Sequence, residues 1–195
     1  MKTALPIIIV VVLLALLGGC SYNGMNSARI DVDKSWAEVQ SAYQRRADLI
    51  PNLVATVKGA ADFEKSTYVQ VAQARAGQLN QLTNIKASEL TPERMAEIQK
   101  ASAEAGQAMR TAINVAIEAY PNRRATQNFS DLQTQLEGTE NRINVSRNGF
   151  NESVTTYNRK VTSFPGNIMA KLFGFKEKEM FKSEAGADKA PKVQF

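Results

Sequence analysis

Residues 129–164, FSDLQTQLEGTENRINVSRNGFNESVTTYNRKVTSF, carry the reading that decides the fold. Phe129, Leu136, Ile143, Phe150, Tyr157 and Phe164 fall at an unbroken spacing of seven. A repeat that strict keeps one apolar line on a single helix face, the pattern of long helices packed as in coiled coils. The spacing predicts one helix over about 125–163.

Working back toward the N-terminus, the same period recurs. Trp36, Tyr43, Ile50 and Val57 are seven apart, with Val32, Val39 and Leu53 on the adjoining line. A first helix is expected from Val32, with Asp31 as N-cap and Asp33 near the positive helix end. Pro51 predicts a kink or restart near Asp48. Gly59 and Asp62 suggest a turn before a second helix from about Phe63 to Lys86. Thr91-Pro92-Glu93 is a start signal, combining an N-cap, a proline in the first helical position and an acid. The third helix then runs from Pro92 to Ala119 and stops at Tyr120-Pro121. Short connections between amphipathic helices favour antiparallel neighbours. The expected fold is all-α: an antiparallel up-and-down four-helix bundle over 31–164.

The N-terminus reads as an address. Lys2 precedes an apolar run from Ala4 to Leu17, then Gly18, Gly19 and Cys20, in the order of a secretory signal. Fourteen helical residues reach roughly 21 Å, short of a ~30 Å hydrocarbon core. Leu17-Gly18-Gly19-Cys20 also resembles a bacterial lipobox, which would make Cys20 a diacylated N-terminus after loss of residues 1–19. The alternative is an uncleaved transmembrane anchor with an idle cysteine. Either way residues 20–30 would serve as a polar tether, and the domain would lie outside the cytoplasm. Ser21 after the cysteine favours the outer membrane in a Gram-negative host.

Composition narrows the chemistry. The 195 residues include no histidine and one cysteine, which excludes His-dependent triads, His- or Cys-rich zinc sites and internal disulfides. No cofactor or metal is expected. The net charge of +5 is spread evenly: residues 20–91 hold 8 bases and 7 acids, and residues 92–164 hold 9 and 8. Nucleic-acid binding needs clustered cations, so no nucleic-acid partner is expected. A hydrolase with paired carboxylates fits poorly, because Asp48, Asp62 and Glu140 lie beside bases that lower a carboxyl pKa, whereas a general acid needs it raised.

A resemblance becomes specific at Arg45-Arg46-Ala47-Asp48-Leu49-Ile50-Pro51-Asn52-Leu53-Val54 and at Thr139-Glu140-Asn141-Arg142-Ile143. With Ala74-Arg75, Tyr120-Pro121, Tyr157-Asn158, Phe164-Pro165, Gly174-Phe175 and the terminal Pro191-Lys192-Val193-Gln194-Phe195, the chain resembles the LemA family over nearly its whole mature length. The resemblance implies an antiparallel helical bundle on a membrane-tethered N-terminus, and no established enzyme activity. The lipobox and Ala61 depart from the family pattern.

Periodicity adds a polar stripe. Four residues beyond each apolar seven stand Gln133, Glu140, Arg147, Val154 and Val161, and the matching line of the first helix holds Arg46. An antiparallel register sets Arg46 opposite Glu140, Trp36 opposite Phe150, and Ile50 opposite Leu136. One outcome is a buried ion pair that fixes register. The other is a groove of Arg45, Arg46, Asp48, Asn52, Gln133, Glu140 and Arg147 that receives an anionic ligand or peptide.

Beyond Phe164-Pro165-Gly166, a short amphipathic segment over 165–182 sets Ile168, Met169, Leu172, Phe173 and Phe175 beside Lys171, Lys176 and Lys178. It either packs on the bundle end or lies in a lipid interface. Residues 183–195 read as a flexible tail, whose Val193-Gln194-Phe195 carboxylate suits a PDZ-type groove. The expected function is a non-enzymatic, membrane-tethered scaffold for membrane or envelope proteins. A receptor or regulator using the polar stripe is the rival.

Overall fold

A computed structural model describes the backbone of residues 4–58, 72–73, 77, 85–119 and 123–182, with side chains over 18–52, 72–73, 77, 85–114, 127 and 130–182. Four helices are defined: α1 (Ala4–Lys58), α2 (Pro92–Ala119), α3 (Arg123–Thr162) and the short α4 (Gly166–Phe173). A single 3-10 turn, Ala87–Glu89, precedes α2. The described residues contain no strand, so the chain is all-α. Of the expected helix over 63–86, positions 72–73 and 77 are helical, while Ile85 and Lys86 are not; the other positions of that expectation lie outside the described residues. So do the tail 183–195 and its Val193-Gln194-Phe195 end.

α1 and α3 form the spine. Trp36 meets Phe150 with ring centroids 5.5 Å apart, Arg46 meets Glu140, and Lys160 donates to the Gly24 carbonyl. Ascending α1 therefore means descending α3, and the two helices are antiparallel. Buried positions on α1 are Met25, Ala28, Val32, Trp36, Val39, Tyr43, Arg46 and Ile50; on α3 they include Leu132, Leu136, Ile143, Phe150, Val154, Tyr157 and Val161. Alternating steps of three and four turn one stripe inward on each helix.

Three expectations about α1 are corrected. Residues 20–30 are helix and not a separate tether, and Asp31 lies inside the helix and caps nothing. The physical reason is that Met25 and Ala28 continue the buried stripe, and polar neighbours on the outer face do not stop a helix with an inner face to bury. The expected restart near Asp48 is also absent, since α1 continues through Pro51 to Lys58. Proline removes one backbone donor, but Ala47 and Ile50, in the turn that precedes it, are buried and keep the helix packed there.

The signals around α2 act locally. The Thr91 hydroxyl accepts from the Arg94 amide at 3.2 Å, and this hydroxyl together with its own backbone amide holds the Glu93 carboxyl below its usual range. Before the helix, the Ile85 carbonyl accepts from Trp36 Nε1 at 2.9 Å and from Gln40 Nε2 at 3.2 Å. This fastens the segment leading into α2 to the middle of α1.

After α3 the chain turns through a cis Phe164-Pro165 bond. Gly166 is required there, because a Cβ would collide with the Lys160 carbonyl. α4 ends at Gly174, left-handed at φ 76°, where the Phe175 amide reaches back to the Ala170 carbonyl at 2.9 Å, a Schellman closure. Residues 175–182 then run extended along the spine.

Candidate functional site

The polar stripe converges on Arg46. Its side chain is 1% exposed, inside a seam otherwise made of apolar residues. Nη1 donates to Glu140 Oε1 at 2.8 Å. Nη2 donates to the Ser102 carbonyl at 3.0 Å and the Ser102 hydroxyl at 2.8 Å. α1, α2 and α3 thus meet at one guanidinium, whose planar fork of donors suits several acceptors at once. Arg147 supplies a second guanidinium. It donates from Nε to the Tyr43 hydroxyl at 2.7 Å and from Nη2 to the Ser102 hydroxyl at 3.1 Å. Both guanidinium carbons lie over the Tyr43 ring, at 5.3 and 5.5 Å from its centroid, within cation–π range.

Beside this node a cleft of about 690 Å³ opens between α2 and α3, lined by Arg46, Arg110, Asn114, Gln133, Glu140 and Asn144 among others. The sequence-selected residues therefore divide. Arg46, Glu140 and Arg147 come together, and Gln133 stands at the cleft, donating to Glu137 at 2.9 Å. Arg45, Asp48 and Asn52 are exposed and do not line it; Asp48 accepts from Gln44 at 2.8 Å. Cys20 is an exposed free thiol on α1. Ser102 and Tyr43, which complete the node, were not singled out by sequence reasoning. Ser102 sits in an Ala-rich helix whose register has no aromatic marker, while Tyr43 reads simply as core.

A second constellation holds the extended segment 175–182. Asn158 donates to the Lys178 carbonyl at 2.8 Å and accepts from the Lys178 amide at 2.9 Å. Asn151 repeats the motif on Phe181, at 3.0 and 2.9 Å. Seven helical residues rise about 10.5 Å, and three extended residues span about 10 Å, so the two clamps match in pitch. The Tyr157 hydroxyl donates to the Lys176 carbonyl at 2.9 Å, and Gln99 of α2 to that of Lys182 at 2.8 Å. Phe181 is buried, stacked on Trp36 and edge-on to Phe150, with the Arg147 guanidinium 5.2 Å from its centroid. The chain after α4 thus packs along the spine as far as its middle, while Ile168, Leu172 and Phe173 of α4 itself stay exposed.

Between the clamps, Lys178 points inward. Among the described residues its ammonium has no hydrogen-bond acceptor, with Asp33 at 3.9 Å and the Tyr157 ring at 5.8 Å. Burial pushes its pKa down, against the pull of Asp33. Burial pushes the Tyr157 phenol up, opposed by Arg29.

The model of a family described as the LemA family matches residues 35–195. Magnetosome protein MamQ 2 of Paramagnetospirillum magneticum is 32% identical over 72 residues, and magnetosome protein MamQ of Magnetospirillum gryphiswaldense is 33% identical over 72 residues. Each alignment covers 37% of this chain and 26% of the relative. Protein LemA of Metamycoplasma hominis is 23% identical over 141 residues, covering 72% of this chain and 59% of that protein. The chain therefore spans only part of the length of the relatives it matches.

Proposed function

The chain belongs to the LemA family, and from that premise we propose that it is a membrane-associated envelope protein acting as a non-enzymatic scaffold. The observation that carries this reading is the continuity of α1. One helix of 55 residues, about 80 Å long, leads from the apolar N-terminal run into the buried seam. No helix of the described residues is long and apolar enough to cross a membrane. Attachment is assigned to the N-terminal end of α1, through a lipid on Cys20 on the extracytoplasmic face. Mass spectrometry of the mature N-terminus tests this: a free thiol on an intact leader overturns it. Photo-crosslinking from Val145, exposed on α3, followed by membrane pull-down tests the scaffold role. A reproducible envelope partner supports it, and no reproducible product overturns it.

The cleft favours a second reading, a receptor for a small anionic ligand. Arg110 lies at its exposed rim, whereas Arg46 is already occupied by Glu140 and Ser102. Pyrophosphate is the probe. A rise in Tm that disappears in Arg110→Ala supports this reading, and no rise overturns it.

A further inference from the structure

α4 is the most apolar exposed surface among the described residues, and it stands at one end of the spine. Phe164, Ile168 and Leu172 are 79%, 55% and 73% exposed, with Phe173 at 47%. Ile168 and Leu172 are one helical turn apart and share a face of α4, and Phe164 is exposed in the turn that leads into the helix. The opposite face is already used: Ala170 is buried, and Met169 Sδ packs where a Gly18 Cβ would stand, 3.6 Å away. A monomeric domain has no folding reason to collect four large apolar side chains on its outer surface.

The position of this surface says what covers it. Gly18 follows the last residue of the apolar run, Leu17. One turn farther along α1, Tyr22 contacts Phe173 and Phe175 edge-on, with centroids at 5.0 and 5.6 Å. The point where α1 leaves the apolar run is thus the point where α4 docks. Lipidation at Cys20 or an uncleaved anchor would put the bilayer boundary at this same level. Charge agrees independently. Residues 159–176 contain Arg159, Lys160, Lys171 and Lys176 and no acid, although the chain as a whole is nearly balanced.

We propose that α4 is a second membrane contact, with exposed Ile168 and Leu172, and Phe164 just before the helix, inserted into the interface of an anionic bilayer and the surrounding bases against the headgroups. Apolar insertion combined with cationic attraction is how interfacial helices bind. The contact would also fix the spine's orientation, because Tyr22 holds α4 to α1 through its edge-on contact with Phe173. The proposal rests on the N-terminus being the membrane end.

The test uses the full-length chain reconstituted into vesicles of phosphatidylcholine, with or without phosphatidylglycerol. Flotation reads the tether, and tryptophan quenching by brominated lipid reads α4. Leu172→Trp is expected to be quenched about twofold more than Val145→Trp, which reports the solvent-facing side of α3. Wild type, with Trp36 inside the bundle, gives the background. Stronger quenching of Leu172→Trp with phosphatidylglycerol supports the role of the bases, and equal quenching overturns that part. A chain that floats while Leu172→Trp matches Val145→Trp overturns the contact and leaves the tether standing. A chain that does not float overturns both.

Discussion

Two cations are buried against the spine, and they are treated in opposite ways. Arg46 is enclosed by acceptors from two helices: Glu140, the Ser102 carbonyl and the Ser102 hydroxyl. Lys178 is carried inward by the extended segment and faces a ring and a carboxylate at 3.9 Å, with no acceptor at bonding distance among the described residues. The guanidinium is weakly hydrated and forked, so it can be satisfied away from water. The ammonium is a compact charge whose desolvation is hard to offset. One cation joins three helices, whereas the other is tolerated where the segment passes.

The largest expected effect strands the better-satisfied cation. Glu140→Leu removes the carboxylate that pairs with a guanidinium only 1% exposed, and should cost about 3–5 kcal/mol in urea unfolding. Arg46→Met should cost less, about 1–2 kcal/mol, because Glu140 is 35% exposed and can turn to water. Equal losses would break the asymmetry. The charge swap Arg46→Glu with Glu140→Arg should recover only part of the loss, since the Ser102 carbonyl would then face another acceptor.

Next comes the segment itself. Phe181→Ala empties the pocket among Trp36, Phe150 and Arg147, and should cost about 3 kcal/mol of docking, read as faster proteolysis between 175 and 182. Asn158→Ala deletes two main-chain bonds and should cost about 1–2 kcal/mol by the same readout.

The smallest effect has the opposite sign. Lys178→Met keeps the aliphatic packing and removes an unsatisfied charge, so stability should rise by about 1 kcal/mol. The pH dependence sharpens this. Burial sets the folded-state pKa of Lys178 below its usual 10.5, so just below that value the unfolded chain binds more protons. Stability therefore climbs with pH through that window, and Lys178→Met should flatten the climb. Tyr157 acts in the other direction, since a raised pKa removes stability as pH passes 10.0.

The contrast also shows what a sequence can reveal. Arg46 and Glu140 were legible because each interrupts an apolar line of strict period, so an antiparallel register leaves little choice of partner. The limits of α2 were legible because caps and prolines act over a few residues. The clamps were not, because Asn151 and Asn158 recognise amides and carbonyls common to every residue, which leaves no mark on the segment they hold. Residues 20–30 misled for a related reason: eleven mostly polar residues read as linker, although Met25 and Ala28 suffice to continue the seam.

The paired asparagines have a consequence for how this chain tolerates change. The helix reads the segment by pitch, at two main-chain positions three residues apart, plus one aromatic side chain. Between and beyond those points α3 touches few of its side chains, Thr155 meeting the Met180 sulfur at 3.4 Å and the Tyr157 ring facing Lys178. The address is written on the receiving helix and not on the segment that it receives. Drift in the segment's letters should therefore be harmless, whereas inserting one residue between Lys178 and Phe181 would put the two marks out of phase and release it.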